Sequence, residues 1–155
     1  MKKNGLYVRP IQNGTVIDHI TAGQALSVLR ILGINRTTEE VVSVVMNVTS
    51  KAIGTKDIVK IEGRELKPSE VDKIALIAPS ASINIIRKYN VAGKHKVDIP
   101  DEIEGVVRCA NPNCISNTIE PVVSRFTTEK QKTGIQLRCI YCERIISENI
   151  VEHLL

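Results

Sequence analysis

Aromatic side chains are nearly missing from this chain of 155 residues, which has no tryptophan, one phenylalanine and three tyrosines. A protein that stacks unpaired bases on its surface needs aromatic platforms, so that class of binder has little to build on here. Long apolar runs are missing as well. No stretch approaches the roughly 20 residues that cross a bilayer, and the basic start Met1-Lys2-Lys3 reaches Arg9 and Pro10 before an apolar segment of signal-peptide length can form. The chain has no Walker loop and no glycine-rich dinucleotide fingerprint, and none of its three histidines pairs by spacing with a serine or cysteine. These absences lead us to expect a cytoplasmic protein, without a membrane anchor and without chemistry of its own.

The first 108 residues contain no cysteine; four then follow as Cys109-x4-Cys114 and Cys139-x2-Cys142, with 24 residues between the pairs. Two short cysteine turns joined by a hairpin-like excursion can bring four thiolates to one point, which is what tetrahedral zinc requires. Four protein ligands fill the metal's shell, whereas a catalytic zinc keeps one position open. The expected cofactor is therefore one structural zinc per chain. Two disulfides or four unrelated thiols are the alternatives, and a reducing compartment disfavours the first.

Charge divides the chain at the same place as cysteine. Through Pro100 there are 15 Lys and Arg against 9 Asp and Glu, a balance of +6; from Asp101 onward there are 6 against 8, a balance of −2. Four thiolates around a divalent ion would make the second part more negative still. A zinc ribbon that grips nucleic acid should be basic, because phosphate contacts dominate that affinity. The acidic cysteine region argues against nucleic acid as a partner, and the basic first part calls for a different anion.

The pattern of the chain predicts two domains, 1–98 and 99–155, divided where Val97-Asp98-Ile99-Pro100-Asp101-Glu102 breaks the apolar periodicity. Residues 6–11 and 15–20 read as a hairpin around Gln12-Asn13-Gly14. Thr21-Ala22-Gly23-Gln24 reads as a capping box with Thr21 as N-cap. Ala22, Ala25, Leu26 and Leu29 form the inner helical stripe after it, and Gly33 closes the helix. Strands follow at 41–48 and 58–61 around a polar loop, then a helix from Pro68 to Pro79 and a strand at 83–89. The fold class is α+β: an N-terminal antiparallel sheet with two helices on one face, then a small β-rich four-cysteine zinc domain. Ile115, Phe126, Ile135 and Leu137 are the expected core of that second domain.

Three segments together resemble the regulatory chain of aspartate carbamoyltransferase: Gly14-Thr15-Val16-Ile17-Asp18-His19-Ile20, Lys56-Asp57-Ile58-Val59-Lys60-Ile61-Glu62, and the quartet with its flanks, Cys114-Ile115-Ser116 and Cys139-Ile140-Tyr141-Cys142-Glu143. The similarity runs from about residue 6 to the end in the family's order. It implies a non-catalytic subunit of pyrimidine biosynthesis, with a nucleotide-binding allosteric domain followed by a zinc domain that docks on the catalytic chain. The regulatory chain would form a homodimer through its first domain and bridge catalytic trimers. CTP and ATP would be the effectors, with other nucleotides possible.

Carried onto this sequence, the resemblance places Lys94 and His19 toward the phosphates, Asp18 and Lys60 around the ribose, and Asn84 near the triphosphate. Main-chain groups around Ile11, Tyr89 and Val91 would read the base. Asn111, Asn113, Glu120 and Arg144 are the polar candidates for the partner contact. Taken singly, Lys60 or Lys94 could equally be a solvated charge, Asp18 a turn acceptor and His19 a core imidazole. A four-cysteine zinc-ribbon protein that binds nucleic acid is the alternative reading, set against the acidic second domain and the shortage of aromatics.

Overall fold

The computed structural model describes residues 10–51, 53–120, 122–132 and 134–155, and the chain divides into two compact units, Met1–Val97 and Asp98–Leu155. Unit one contains β1 (Gly14–Thr21), α1 (Ala25–Ile31), β2 (Val42–Ser50), β3 (Gly54–Glu62), α2 (Pro68–Ile77), β4 (Ser82–Arg87) and β5 (Asn90–Lys96). Its antiparallel sheet has the order β2-β3-β1-β4-β5. Across its centre Ile17 faces Val59 on one side and Ile83 on the other, and Thr15 faces Ile61 and Ile85. Thr15, Ile17, Val59, Ile61 and Ile83 are buried and share one face with the helices, which contribute Ala25, Val28, Leu32, Ile74, Ala75, Leu76 and Ile77. Alternating apolar positions along three central strands explain that face, because side chains two apart point the same way.

Four expectations for this unit need correction. The strand at 6–11 falls mostly outside the described residues, and both edges of β1 from Gly14 to Ile17 are already taken by β3 and β4, so β1 is the centre of the sheet and not half of a hairpin. The fifth strand is instead β5, joined to β4 by Lys88 and Tyr89, both in the left-handed region at φ 52° and 67°. Two left-handed residues suit the twist of a tight hairpin, but the usual Asn-Gly signature is absent. Most of the polar loop near Gly54 is strand, with Thr49 paired to Thr55 and Ser50 to Gly54.

Finally, α1 starts at Ala25 and its cap is not Thr21. Gln24, at the N-cap, makes no side-chain cap bond. The Asp57 carboxylate reaches across from β3 to accept the Gly23 and Ala25 amides at 2.9 and 3.0 Å. Leu26, expected on the inner stripe, is 63% exposed, and Val28 takes the inward position. The far end of α1 is as expected: Gly33 is left-handed, its amide donates to Arg30, and the Ile34 amide donates to Leu29, closing the last turn. In α2, Pro68 opens the helix and the Glu70 carboxylate accepts the Lys67 amide at 2.9 Å.

Unit two is a four-stranded antiparallel meander of β6 (Glu102–Glu104), β7 (Arg125–Gln131), β8 (Gly134–Cys139) and β9 (Ile145–Ile146), with α3 (Ile115–Thr118) and a 3-10 turn at Ile150–His153. Phe126, Leu137 and Ile135 are buried as expected, together with Ile103, Val107, Ile146 and Ile150. Ile115 is 44% exposed and does not belong to the core, because it opens a one-turn helix on the outside of the cysteine cluster. Among the described residues, no helix is long and apolar enough to cross a membrane.

Candidate functional site

The face of the first sheet away from the helices carries the polar residues. Pairing sets them in rows: Lys60 lies opposite Val16, Val16 opposite Asn84, and Asn84 opposite Lys94, so three of the expected residues stand in one line across β3, β1, β4 and β5. At the spacing of paired strands, the two lysine backbones at the ends of that line are about 14 Å apart. In the next row Asp18 lies opposite Ser82 and Ser82 opposite Lys96.

A bulge accounts for Asp18 and His19. Ile17 pairs with Val59 and Ile20 with Asp57, leaving Asp18 and His19 opposite Ile58 alone. Ile17 and Ile20 are three apart, yet both are fully buried on the helix side. Only an extra residue allows that, and it turns Asp18 and His19 together to the other face. His19 adopts φ 57°, its amide donates to Asp18 Oδ1 at 2.6 Å, and its Nδ1 lies 3.4 Å from Ser82 Oγ. It is half-buried among polar groups, not enclosed in the core.

Lys56 Nζ sits 2.9 Å from Asp18 Oδ1. Burial pushes the Asp18 carboxyl up, but the Lys56 hydrogen bond, the His19 amide and the charge of Lys56 outweigh it and hold the carboxyl below its ordinary range. Burial pulls the Lys60 ammonium down from its ordinary value, partly offset by the charge of Asp18. A half-buried cation of this kind gains from an added anion.

Asn84 Nδ2 donates to the Val16 carbonyl at 3.2 Å, which leaves its Oδ1 for other partners. Ile11 is buried, and the neighbouring Gln12 carbonyl accepts the Tyr89 amide at 2.9 Å, laying this segment along the β4–β5 turn. The Tyr89 amide is therefore engaged within the protein, while the Tyr89 and Val91 side chains are 65% and 59% exposed. Lys56, Ser82 and Lys96 were not among the sequence candidates. Lys56 stands inside a quoted motif, but Ser82 and Lys96 become visible only through register.

In unit two the four sulfurs converge. All lie within 4.8 Å of one another, with Cys109 to Cys142 at 3.6 Å and Cys114 to Cys139 at 3.7 Å. A disulfide needs about 2.05 Å. Four sulfurs tetrahedral about zinc at bonds of about 2.3 Å are separated by about 3.8 Å, and the donor set fits that. Asn117 holds the first cysteine turn, its Nδ2 donating to the Cys109 and Asn111 carbonyls at 3.0 and 2.7 Å. The second turn closes through left-handed Glu143, whose amide donates to the Cys139 carbonyl at 2.9 Å.

Polar groups aim at the sulfurs as well, with the Asn111 amide 3.5 Å from Cys109 Sγ and Ser116 Oγ 3.2 Å from Cys114 Sγ. Burial pushes the Cys109 thiol up to about 12 and also raises Cys139, while the Arg144 backbone amide draws Cys142 down to about 7. A cation would reverse the first two by stabilising the thiolates. Asn113, Glu120 and Arg144 are exposed and Asn111 is half-buried.

Comparison with known proteins divides the chain along similar lines. Residues 6–98 match the family model for the aspartate carbamoyltransferase regulatory chain, allosteric domain, and residues 101–152 match its metal binding domain. A protein of Methanocella arvoryzae named aspartate carbamoyltransferase regulatory chain is 64% identical over 153 residues, covering 99% of this chain and 98% of the relative. Proteins with the same name from Methanothrix thermoacetophila and Methanococcoides burtonii are 59% and 62% identical, covering 100% and 96% of this chain and 100% and 92% of their own.

Proposed function

Because the chain belongs to the family of aspartate carbamoyltransferase regulatory chains, a non-catalytic subunit with an allosteric and a metal-binding domain, we propose that it binds CTP and ATP on the helix-free face of unit one and transmits their effect to a catalytic chain held by unit two. The observation that carries the first half is the row of Lys60, Asn84 and Lys94 across four strands, bordered by Asp18 and His19. Two lysine backbones about 14 Å apart suit an extended anion better than a single phosphate, and an added anion further stabilises the ammonium of Lys60, whose pKa burial lowers. In this reading Lys94 and His19 meet the phosphates, Asp18 and Lys60 border the ribose, Asn84 faces the triphosphate, and Ile11, Tyr89 and Val91 border the base. Ser82 and Lys96 extend the phosphate side.

For unit two we take the ion to be zinc, one per chain, held by Cys109, Cys114, Cys139 and Cys142. All-thiolate donors and sulfur separations of 3.6 and 3.7 Å support a closed structural site with no position for substrate. The metal holds the docking surface in shape, with Asn111, Asn113, Glu120 and Arg144 as its polar contacts. The assembly is a regulatory homodimer bridging catalytic trimers. Nucleotide binding can alter the enzyme only through different affinity for two states of that assembly, so the isolated chain binds effectors and regulates nothing.

The test is to titrate the purified chain into a catalytic trimer and follow aspartate saturation with and without CTP and ATP. A complex should form, and at least one nucleotide should shift the half-saturating aspartate concentration. Absence of a complex, or carbamoyl transfer by this chain alone, would overturn the reading.

A further inference from the structure

We propose that Asp57 is a positioning residue for the phosphate side of the nucleotide face, holding His19 and Lys56 in place from behind the sheet; this rests on that face being the nucleotide site. Asp57 is fully buried and points to the helix side, so it cannot itself meet a ligand on the opposite face. Its Oδ2 accepts the Gly23 and Ala25 amides at 2.9 and 3.0 Å, and its Oδ1 accepts the Asn47 amide at 2.9 Å. A buried carboxylate is expensive unless its oxygens are satisfied, and an apolar residue of similar size would leave three amides without acceptors.

The three amides come from the β1–α1 turn, the first turn of α1 and β2, and the places they hold are those that shape the site. Asn47 is left-handed at φ 62° in a bulge where Met46 and Asn47 stand opposite Asp57 alone. On the other edge of β3, the bulge of Asp18 and His19 begins one residue further along, opposite Ile58. Thus both strands flanking β3 carry an extra residue at adjacent positions, Asp57 and Ile58, and the Asp57 carboxylate fixes the one in β2 while pinning the start of α1. The consequence follows from the period of a strand: if either bulge is lost, the side chains beyond it change face. Lys56, next in sequence to Asp57, pairs with Asp18. The positions of His19 and Lys56 therefore depend on the carboxylate behind them, and occupancy of the face is coupled to the N-terminus of α1.

The experiment uses the full chain and begins with the unaltered protein, measuring CTP, ATP, cytidine and adenosine by calorimetry. No binding of either triphosphate is a failure of the site reading and takes the proposal with it. Given binding, Asp57→Asn is compared with Glu70→Ala, which removes the cap of α2 and serves as a control for stability loss alone, both at a temperature where circular dichroism shows them folded. Asp57→Asn should lose about tenfold or more in triphosphate affinity, as expected for charged hydrogen bonds. Its nucleoside affinity should stay within about twofold, the scatter for sites that do not interact. Glu70→Ala should leave both ligands unchanged. Triphosphate affinity unchanged in Asp57→Asn, or lost equally for nucleoside and triphosphate, overturns the proposal. Should Asp57→Asn fail to fold, hydrogen exchange on the unaltered chain decides: saturating triphosphate should slow the Gly23, Ala25 and Asn47 amides, and no change at any of them refutes the coupling.

Discussion

Replacing Cys114 by alanine should unfold unit two and leave unit one standing. Cys114 Sγ is buried, 3.7 Å from Cys139 Sγ and 3.2 Å from Ser116 Oγ, so its removal takes one ligand from four and opens a hole beside the others. Structural zinc contributes about 10 to 16 kcal/mol in small metal-folded domains, so a quarter of that is about 2.5 to 4 kcal/mol if the bonds share it evenly. A 58-residue unit seldom draws more than about 3 to 5 kcal/mol from its apolar core. Among the described residues, seven buried apolar side chains besides the cysteines, Ile103, Val107, Phe126, Ile135, Leu137, Ile146 and Ile150, give no reason to expect more. The loss therefore matches what the unit has. Zinc release to a chromogenic chelator, limited proteolysis and two-dimensional NMR should together report a metal-free, cleavable second unit beside an intact first one, and the variant should not bind a catalytic trimer. Cys114→Ala that kept one zinc per chain and a protease-resistant second unit would refute the reasoning.

Other perturbations test the first unit. Gly14→Ala should destabilise it by about 3 kcal/mol or more in urea unfolding, because at φ 145° an added Cβ would lie 2.1 Å from the Ile61 carbonyl oxygen in the pairing strand. Lys94→Ala should weaken triphosphates by about 1.5 kcal/mol, the low end for a charged hydrogen bond because the side chain is exposed, and nucleosides little; equal loss for CTP and cytidine would show that Lys94 does not meet the phosphates. Burial lowers the Lys60 pKa in the free chain, so below that pKa a desolvated cation opposes folding, and the penalty fades as pH rises through it. A bound triphosphate should raise the pKa again, and calorimetry across the alkaline range in buffers of different ionisation enthalpy should register proton uptake. Asp18 works the other way: its lowered pKa contributes stability above the ordinary carboxylate value that disappears as pH falls through the folded value. Lys56→Ala should move that loss to higher pH by NMR titration of the carboxyl carbon.

What the sequence determined by itself was local or compositional. Cysteine spacing announced a four-sulfur cluster because a short turn needs nothing beyond its own few residues to present two thiols on one side. Gly33 at the end of α1 and Pro68 with Glu70 at the start of α2 were legible for the same reason: each acts within a single turn of backbone. The charge boundary and the alternating apolar positions of β1, β3 and β4 located two units and an α+β class. The three quoted motifs, each made of short contiguous runs, carried the family.

Tertiary structure alone decided the pairing. Nothing near Thr15 says that β1 has neighbours on both edges, since its partners lie some 40 and 70 residues away in sequence. Lys88-Tyr89 forms a left-handed hairpin without the usual residues, so β5 went unread, and with it the place of Lys96 opposite Ser82. Thr21 looked like the cap of α1 because capping boxes are read along the chain, whereas the acceptor is Asp57, 32 and 34 residues beyond the amides it takes. Period two would have sent His19 toward the helices; a bulge of one residue turned it to the helix-free face with Asp18. A strand's alternation says which residues share a side only until an extra residue is inserted, and whether one is inserted depends on partners that the local sequence does not name.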